Sequence, residues 1–270
     1  MKHIDQYAVL GNPISHSKSP IIHSYFAKQT NQFLSYSSIL ILNQTQLSNF
    51  FRKFRLTGGK GVNITSPWKK IATNYVDNID NSAKKSGSIN TIKFDKNNNS
   101  TGFNTDGDGF IRDLMINKKF RPKNKNILII GAGGAAYGIL VPLLEQCPNK
   151  ITIINRSETK ALSIVNQFKK LGNIQFSHYE TLAETFDLII NTSNADLVFF
   201  QKLTNKILNN TTFCYDLIYS DKDTPFLQYI KNLGVKNLSD GYGMLIEQAA
   251  LSFYIWRNIM PNTSYLLDNI

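Results

Sequence analysis

The segment Asn126-Ile-Leu-Ile-Ile-Gly-Ala-Gly-Gly-Ala-Ala136 decides the fold of this chain. Its first five residues form a short apolar run, which is suited to a strand buried in a parallel sheet. The glycines that follow match G-x-G-x-x-A, where the first glycine permits a tight turn and the second lets the backbone approach a pyrophosphate. A segment of helical length follows, from Ala135 to Gln146. This strand–turn–helix context predicts a dinucleotide-binding site.

Strands and helices alternate along the chain beyond this segment. A helix is predicted from Glu158 to Leu171, and further strands are predicted at Lys150–Ile154, Asn173–Phe176, Asp187–Ile190, Thr212–Tyr215 and Val235–Leu238. Such alternation is typical of a doubly wound, mostly parallel sheet. We therefore expect a Rossmann-type domain over residues 108–239.

The first hundred residues also mix strands and helices, but without the regular alternation, and this pattern predicts a separate α/β domain. A helix should begin with Ser19 as N-cap and Pro20 in its first turn, and should run to Gln29. Strands are predicted at Tyr7–Leu10 and Gly61–Ile64, with a hairpin formed by Ser88–Phe94 and Ser100–Phe103. The last segment begins with an apolar helix, Gly241–Asn258, which should be largely buried. The first domain is expected to comprise residues 1–107 plus 240–270.

The end of the second strand of the Rossmann-type domain indicates which dinucleotide binds. An NAD site would place a carboxylate here, on the ribose 2′-hydroxyl. This chain has Asn155-Arg156-Ser157, with Lys160 one turn into the next helix. A guanidinium can engage a 2′-phosphate with two hydrogen bonds, whereas a carboxylate would repel it. The pattern favours NADP, although a charged strand end that is merely exposed to solvent would have the same residues.

Polar side chains recur in the loops of the first domain. Ser15 and Ser17 occupy alternate positions of the loop Gly11-Asn-Pro-Ile-Ser-His-Ser-Lys-Ser-Pro20, so their hydroxyls can point the same way and bind a carboxylate. Amides, hydroxyls, a lysine and an aspartate in later loops suit a small polyol acid: Asn63, Thr65, Lys69, Asn90 and Asp106. Each of these residues alone also fits a turn cap or a solvated position. From the residues alone, the prediction stops at an NADP-linked oxidoreductase.

The whole set resembles the shikimate dehydrogenase family. The segments GNPISHSKSP, GVNITSPWK, GSINT, GFNTDG, GAGGAA, NRS, YDLIY and GYGMLIEQAA occur in that family's order and spacing, from Leu10 to Ala250. The resemblance implies an enzyme that interconverts 3-dehydroshikimate and shikimate with NADP, in aromatic amino acid (chorismate) biosynthesis.

The resemblance also implies a role for each matching residue of the substrate site. Ser15 and Ser17 would bind the substrate carboxylate, and Tyr219 would line the pocket. The ring hydroxyls would be bound by Asn63, Thr65, Asn90, Asp106 and Gln248. Lys69 would be the acid–base group at the C3 oxygen, with Asp106 beside it. The chemistry agrees, because hydride transfer makes or consumes an alkoxide and a proton donor must lie at that oxygen.

Cofactor contacts are implied at the glycine turn and at four later places. The expected residues are Gly131, Ala132, Gly133, Gly134, Ala135, Asn155, Arg156, Ser157, Lys160, Thr192, Leu217 and Gly241. Three positions depart from the family pattern, and one of them is Trp68, which replaces a frequent phenylalanine next to Lys69. Asp196 stands where glycine is usual, which leaves the shape of its loop open, and Leu217 replaces a common methionine with a residue of similar volume.

The composition of the chain limits which partners and which cellular compartment are expected. The formal net charge is +11, but no basic stripe is interleaved with aromatics, so no nucleic-acid partner is predicted. No apolar run is long enough for a membrane span. Two distant cysteines, Cys147 and Cys214, are typical of a reducing compartment, and a cytoplasmic location is expected. The four histidines, including His23, match no triad or metal pattern, so no metal is predicted. A homodimer is left open.

Four rival interpretations are weighed. A quinate/shikimate dehydrogenase is often NAD-linked, which Arg156 and Lys160 oppose, but quinate as a side substrate stays open. A methylene-tetrahydrofolate dehydrogenase should lack the SHSKSP loop. A catalytically idle NADP-binding sensor would not need both Lys69 and Asp106. A nucleic-acid-binding module should show steeply salt-dependent affinity.

Overall fold

The chain forms two compact units in a computed structural model that describes residues 4–195, 197–201 and 203–269. Unit 1 comprises Met1–Gly109 together with Ile246–Ile270, and unit 2 comprises Phe110–Leu245. Unit 1 is therefore built from two separate stretches of the chain. No helix in the described ranges is both long enough and apolar enough to cross a membrane.

Unit 1 is organised around a mixed six-stranded sheet in the order β2-β1-β3-β5-β6-β4. Its strands are β1 (Asp5–Gly11), β2 (Leu34–Leu40), β3 (Gly61–Ile64), β4 (Asn78–Ile79), β5 (Thr91–Phe94) and β6 (Ser100–Phe103). β1 is parallel to β2 and β3, whereas β5 is antiparallel to β3 and β6. Because β1 and β3 are parallel, the loops that follow them lie side by side, and the Thr65 N–H donates to the Leu10 carbonyl at 2.9 Å.

The helices of unit 1 cover an apolar core centred on its sheet. They are α1 (Ser19–Gln29), α2 (Gln44–Leu56), α3 (Asn81–Ser86) and α10 (Ser264–Asn269), together with parts of α4 (Asp106–Arg112) and α9 (Tyr242–Arg257). Leu10, Val62 and Ile92 from three strands are fully buried in this core. The side chain of Asn43 caps α2 by accepting the Gln46 N–H at 2.9 Å. Each such cap satisfies one of the free donors of a first helical turn.

The start of α1 differs from the prediction by one residue. Ser19 is the first helical residue rather than the N-cap, and Lys18 occupies the cap position, where its side chain does not cap the helix. The physical reason is that Ser17 takes over this role, since its Oγ accepts the Ser19 N–H at 3.3 Å. Pro20 lies in the first turn, as expected from its missing N–H.

Unit 2 contains a six-stranded parallel sheet in the order β12-β11-β10-β7-β8-β9. The strands are β7 (Asn126–Ile130), β8 (Lys150–Ile154), β9 (Ile174–Phe176), β10 (Leu188–Asn191), β11 (Phe213–Asp216) and β12 (Asn237–Ser239). Read in chain order this is the 3-2-1-4-5-6 arrangement, with its switch point between β7 and β10. The Rossmann-type prediction is confirmed, and ligands of such sheets bind at the carboxyl ends of the strands near that point.

Both faces of the unit 2 sheet are buried, which explains the continuous apolar runs in its strands. Ile127 and Ile129 of β7 enter one core cluster, whereas Leu128 and Ile130 enter another. This alternation follows from the two-residue period of a strand. Helices cover the two faces: α5 (Gly134–Leu144), α6 (Glu158–Phe168), α7 (Leu197–Phe200) and α8 (Pro225–Asn232).

A stability prediction arises from the buried His23 of α1. Its ring is 1% exposed and stacks on Tyr36, with ring centroids 4.4 Å apart. Burial lowers the pKa of His23 from 6.5 to about 3. The unfolded chain therefore binds a proton below pH 6.5 that the folded chain does not bind. The free energy of unfolding should fall by about 2 kcal/mol from this residue between pH 7.5 and pH 5.

Urea unfolding of wild-type protein and of the His23→Phe variant at both pH values measures this effect. The variant should lose most of the difference, because phenylalanine keeps the ring stacking and cannot be protonated. The exposed His178 provides the control, since its replacement by phenylalanine should leave the pH dependence in place. An unchanged slope in His23→Phe would contradict the prediction.

Candidate functional site

Lys69 and Asp106 form the central ion pair of unit 1. Lys69 Nζ lies 2.6 Å from Asp106 Oδ2, and the two side chains are 32% and 16% exposed. Lys69 follows β3, and its carbonyl accepts the Ile89 N–H at 2.8 Å. Asp106 is the first residue of α4. The pair therefore lies beyond the end of a buried strand, and both side chains remain partly exposed.

Asn90 holds the second oxygen of the Asp106 carboxylate. Asn90 Nδ2 donates to Asp106 Oδ1 at 2.8 Å, and Asn90 Oδ1 accepts the Thr105 backbone N–H at 2.9 Å. Since a backbone N–H can only donate, the amide oxygen must face Thr105 and the NH₂ group must face Asp106. Gln248 Oε1 of α9 lies 3.3 Å from Asn90 Nδ2. Lys69, Asp106, Asn90 and Gln248 are therefore brought together in one cluster.

Ser15 and Ser17 lie in the loop between β1 and α1. Ser15 is exposed and Ser17 is half-buried at the start of α1. The Asn12 N–H donates to the Ser66 carbonyl at 3.0 Å, which joins this loop to the one that carries Thr65. A Cβ atom on Gly11 would lie 2.3 Å from Thr65 Cγ2, so the two loops touch at a position that only glycine fits.

Asn63 is placed differently from the other predicted substrate residues. Its side chain is 7% exposed. Asn63 Oδ1 accepts the Tyr36 hydroxyl at 2.7 Å, and its Nδ2 lies 3.0 Å from the Asn90 carbonyl. Nδ2 also contacts Thr91 Oγ1 at 3.0 Å and Ser252 Oγ at 3.1 Å. The amide is therefore turned into the protein.

The glycine turn of unit 2 has the geometry of a phosphate-binding loop. Gly131 has φ +112°, and a Cβ atom there would lie 2.5 Å from Thr192 Oγ1. Gly133 and Gly134 are exposed, with nothing within 4 Å of a Cβ atom built on either. No side chain caps α5 at Gly133, so the first-turn N–H groups are available to an anion. Ala132 and Ala135 complete this turn, the first buried and the second exposed.

The positive groups predicted to select NADP lie beside the next strand. Arg156 and Lys160 are exposed, after β8 and in the first turns of α6. Asn155 Nδ2 donates to the Ser157 carbonyl at 2.8 Å, which shapes the turn between them. This loop follows the strand adjacent to β7, where the adenosine half of a dinucleotide lies in sheets of this order. The residues present fit a nucleotide with a phosphorylated ribose.

A buried carboxylate, Asp216, links the loops that carry two further predicted cofactor residues, Thr192 and Leu217. Asp216 accepts hydrogen bonds from Asn191 Nδ2 at 2.9 Å, from the Ile218 N–H at 3.0 Å and from the Thr224 hydroxyl at 2.5 Å. Burial raises the pKa of Asp216, and these hydrogen bonds oppose the rise. The loop that carries Thr192 is thereby fixed to the loop that carries Leu217.

Gly241 approaches Leu217 so closely that it must be glycine, because a Cβ atom would lie 2.2 Å from the Leu217 carbonyl oxygen. Tyr219 belongs to unit 2, and its ring packs edge-on against Tyr242, with centroids 6.2 Å apart. Asp196 lies outside the described residues. Within the described ranges, no group of three or more His, Cys, Asp or Glu side chains could hold a metal ion.

Sequence reasoning missed the groups that hold the site residues in place. Ser252 follows Gln248 by one helical turn, and its hydroxyl donates to the Gln248 carbonyl at 3.0 Å. The i, i+4 spacing on α9 was a usable signal. Thr105 precedes Asp106 directly, and Asp216 directly follows the predicted strand Thr212–Tyr215. Tyr36 carried no signal, because nothing in its segment indicates which strand lies beside it.

Three family models match successive parts of the chain. The model described as shikimate dehydrogenase substrate binding domain matches residues 9–92. The model described as shikimate / quinate 5-dehydrogenase matches residues 115–219, and the shikimate 5'-dehydrogenase C-terminal domain matches residues 241–268. Together they cover most of the chain.

Proteins and solved structures similar to this chain match it along nearly its full length. The NADP(+) shikimate dehydrogenase of Nitrosomonas eutropha is 42% identical, over 99% of this chain and 97% of its own length. That of Hahella chejuensis is 40% identical, over 99% and 98%. Among solved structures, an Ael1 enzyme from Pseudomonas putida is 36% identical with TM-score 0.90, covering 98% of this chain and 97% of its own. The Thermus thermophilus shikimate 5-dehydrogenase in complex with NADP(H) and shikimate is 27% identical with TM-score 0.86, covering 98% of each chain. The sequence resemblance is confirmed, and this chain belongs to the shikimate dehydrogenase family.

Proposed function

We propose that this protein is an NADP-dependent shikimate dehydrogenase, which interconverts 3-dehydroshikimate and shikimate in aromatic amino acid (chorismate) biosynthesis. The observation that carries the proposal is the cluster of Lys69, Asp106 and Asn90 in a chain of this family. It joins a proton donor, a carboxylate that orients the donor, and an amide that orients the carboxylate. Unit 1 would bind the substrate and unit 2 the cofactor, with limits near residues 107 and 240.

In the proposed reduction, Lys69 donates a proton from Nζ to the substrate's C3 oxygen while the C3 carbon accepts a hydride. A bound NADPH, held by the glycine turn and by Arg156 and Lys160, would supply that hydride, and NADP⁺ would take it up in the reverse direction. In that direction Lys69 takes the proton from the C3 hydroxyl. Asp106, at 2.6 Å from Nζ, keeps the ammonium in one orientation and balances its charge. Positioned proton transfer of this kind contributes about 10²–10⁴-fold to a rate.

The substrate would be oriented by groups at both ends. Ser15 and Ser17 would bind its carboxylate beside the N-terminus of α1, whose positive dipole end favours an anion. The donors and acceptors that ring hydroxyls need would come from Asn63, Thr65, Asn90, Asp106 and Gln248. The role of Tyr219 in lining the pocket and the cytoplasmic location stay predictions from the sequence, and the oligomeric state stays open.

On the cofactor side, the open turn at Gly133 and Gly134 supports pyrophosphate binding, and the exposed Arg156 and Lys160 support a 2′-phosphate. Thr192, Leu217 and Gly241 would contact the nicotinamide half. Gly241 lies so close to the Leu217 backbone that the two residues would contact that half from adjacent positions.

The test is nicotinamide absorbance with purified protein and shikimate, with NADP⁺, with NAD⁺, and with quinate in place of shikimate. Fast reduction of NADP⁺ by shikimate, with little from NAD⁺ or quinate, is expected. Equal use of quinate or NAD⁺ would assign the protein to the broader quinate/shikimate class. No reduction in any pairing, by folded protein that binds NADP, would refute the proposed substrate.

A further inference from the structure

The buried Asn104 lies between the end of β6 and Asp106, and it is 5% exposed. Asn104 Oδ1 accepts the Asp106 backbone N–H at 3.0 Å. Because a backbone N–H can only donate, the side-chain oxygen of Asn104 faces Asp106 and its NH₂ group faces away. A side-chain oxygen that accepts the N–H two residues further on forms an Asx turn. This turn fixes the backbone from which the Asp106 carboxylate extends.

The NH₂ group of Asn104 holds a second segment of unit 1. Asn104 Nδ2 donates to the Ser88 carbonyl at 3.0 Å and lies 3.0 Å from Ser88 Oγ. The next residue, Ile89, is fully buried and donates its N–H to the Lys69 carbonyl at 2.8 Å. Asn104 is thus linked to the backbone of Lys69 through two consecutive residues. One side chain therefore connects the backbones of both members of the ion pair, Lys69 and Asp106.

The backbone of Asn104 is in turn held by the start of α3. The Asn104 N–H donates to Ser82 Oγ at 3.1 Å, and the Ser82 hydroxyl donates to Asp80 Oδ1 at 2.7 Å. Asp80 caps α3 by accepting the Ser82 N–H at 2.9 Å. A buried polar network in which each member has its partners fixes one arrangement, whereas a buried group left without a partner is costly. The side chain of Asn104 therefore has one favoured orientation.

We propose that Asn104 is a positioning residue for the reaction: its side-chain amide holds the Asp106 and Lys69 backbones together so that the carboxylate meets the ammonium at 2.6 Å. This inference rests on the proposed function. Asn104 acts through the ion pair and makes no contact with substrate or cofactor in this role. The sequence gave no reason to separate it from the neighbouring residues of the GFNTDG segment.

Asn104→Ala is the first test, because it removes both side-chain contacts. The variant should lower kcat for shikimate oxidation by about 10-fold, since small misplacements of reacting groups slow turnover. The pH profile of kcat should also move, because the contact between Asp106 and Lys69 changes. Initial rates at saturating shikimate and NADP⁺, taken across the pH range, measure both effects. A wild-type pH profile in Asn104→Ala would overturn the inference.

A double-mutant cycle with Asp106→Ala tests whether Asn104 acts through the ion pair. Without the carboxylate there is no ion pair to position, so Asn104→Ala should lower the residual kcat of the Asp106→Ala enzyme by less than about twofold. Assays at raised enzyme concentration give this residual rate. A second 10-fold loss in the Asp106→Ala background would show that the two residues act independently, and it would overturn the positioning role.

Asn209→Ala is the matched control. Asn209 makes the same two kinds of contact in unit 2, since its Oδ1 accepts the Thr211 N–H at 2.9 Å and its Nδ2 donates to the Phe186 carbonyl at 3.4 Å. It precedes β11, at the end of the sheet opposite to the one where ligands bind. This variant should keep wild-type kcat and pH profile. Equal losses in Asn104→Ala and Asn209→Ala would overturn the inference.

Asn104→Ser is the milder variant and keeps the test open if Asn104→Ala fails to fold. A serine hydroxyl can accept the Asp106 N–H, more weakly than asparagine does, but it does not replace the NH₂ group that reaches Ser88. Its kcat should lie below that of the wild type, and its pH profile should move in the same direction as that of Asn104→Ala. Wild-type kcat in Asn104→Ser would refute the link to Ser88. Wild-type protein that oxidises no shikimate would instead overturn the proposed function and this inference with it.

Discussion

Lys69→Ala is expected to lower turnover of shikimate by roughly 10²–10⁴-fold, the range that one positioned acid–base group contributes. The reason is that the variant loses Nζ, the proposed proton donor, which lies 2.6 Å from Asp106 Oδ2. Initial rates under saturating shikimate and NADP⁺ measure the effect. Titration of NADPH fluorescence should give a wild-type dissociation constant, because Lys69 belongs to unit 1 and the predicted cofactor residues belong to unit 2.

Lys70→Ala is the control for Lys69→Ala. Lys70 is the next residue, it is exposed, and its loss changes the net charge equally. This variant should retain wild-type turnover. Near-normal turnover in Lys69→Ala would remove Lys69 from the reaction and leave Asp106 as the candidate acid–base group.

Arg156→Asp is expected to reduce the preference for NADP⁺ over NAD⁺ by roughly 100-fold, the equivalent of one lost hydrogen bond to a charged group with added repulsion. The exposed guanidinium after β8 is the group predicted to bind the 2′-phosphate, and a carboxylate there would repel it. The ratio of kcat/KM for the two cofactors measures the preference. NAD⁺ turnover should be nearly unchanged, because NAD⁺ lacks that phosphate.

Arg121→Asp is the matched charge reversal, since Arg121 is an exposed arginine of unit 2 outside the predicted cofactor set. It should leave the cofactor ratio near the wild-type value. If both reversals lowered NADP⁺ use equally, the net charge of the protein would explain the effect. An unchanged ratio in Arg156→Asp would refute the assignment of Arg156.

The parallel sheet of unit 2 was predictable because its signals are local. The predicted limits of β7 and β8 are the observed ones, and those of the other four strands differ by at most two residues. A strand buried on both faces is a short apolar run, and the glycine turn marks where β7 ends. Alternation with helices then implies parallel pairing without any knowledge of distant contacts.

The sheet of unit 1 was only partly predictable. The hairpin of β5 and β6 follows from its polar turn, but β2 and α2 were not predicted. The strand β2 reads Leu-Ser-Tyr-Ser-Ser-Ile-Leu and lies at the sheet edge, with several exposed side chains. An edge strand with little buried surface carries a weak hydrophobic pattern. Its parallel pairing with β1 depends on the chain folding back over α1, which no local residue encodes.

The candidate site, too, was predictable only where its residues lie in local sequence motifs. Lys69, Asp106 and Asn90 were identified from motifs, because reacting groups are of few chemical types and lie in recognisable loops. Asn63 lies in the same motif as Thr65 and Lys69, and the motif does not show that the Asn63 side chain is 7% exposed and accepts the Tyr36 hydroxyl. Tyr36 comes from β2, a strand that was not predicted, so this contact could not be found from the sequence.

The two-segment construction of unit 1 has a consequence for biosynthesis on the ribosome. Translation proceeds at about 5–20 residues per second, and domains generally fold as their sequence emerges. Residues up to Gly109 emerge first, but Gln248, Ser252 and the rest of Ile246–Ile270 follow only after all of unit 2. During that interval Asn63 and Thr91 lack the Ser252 hydroxyl, and Gly61 lacks the Trp256 side chain that packs against it. The first segment of unit 1 therefore lacks part of its packing until the second segment has been translated. Unit 2 is contiguous, and all the strands of its sheet have been translated by then.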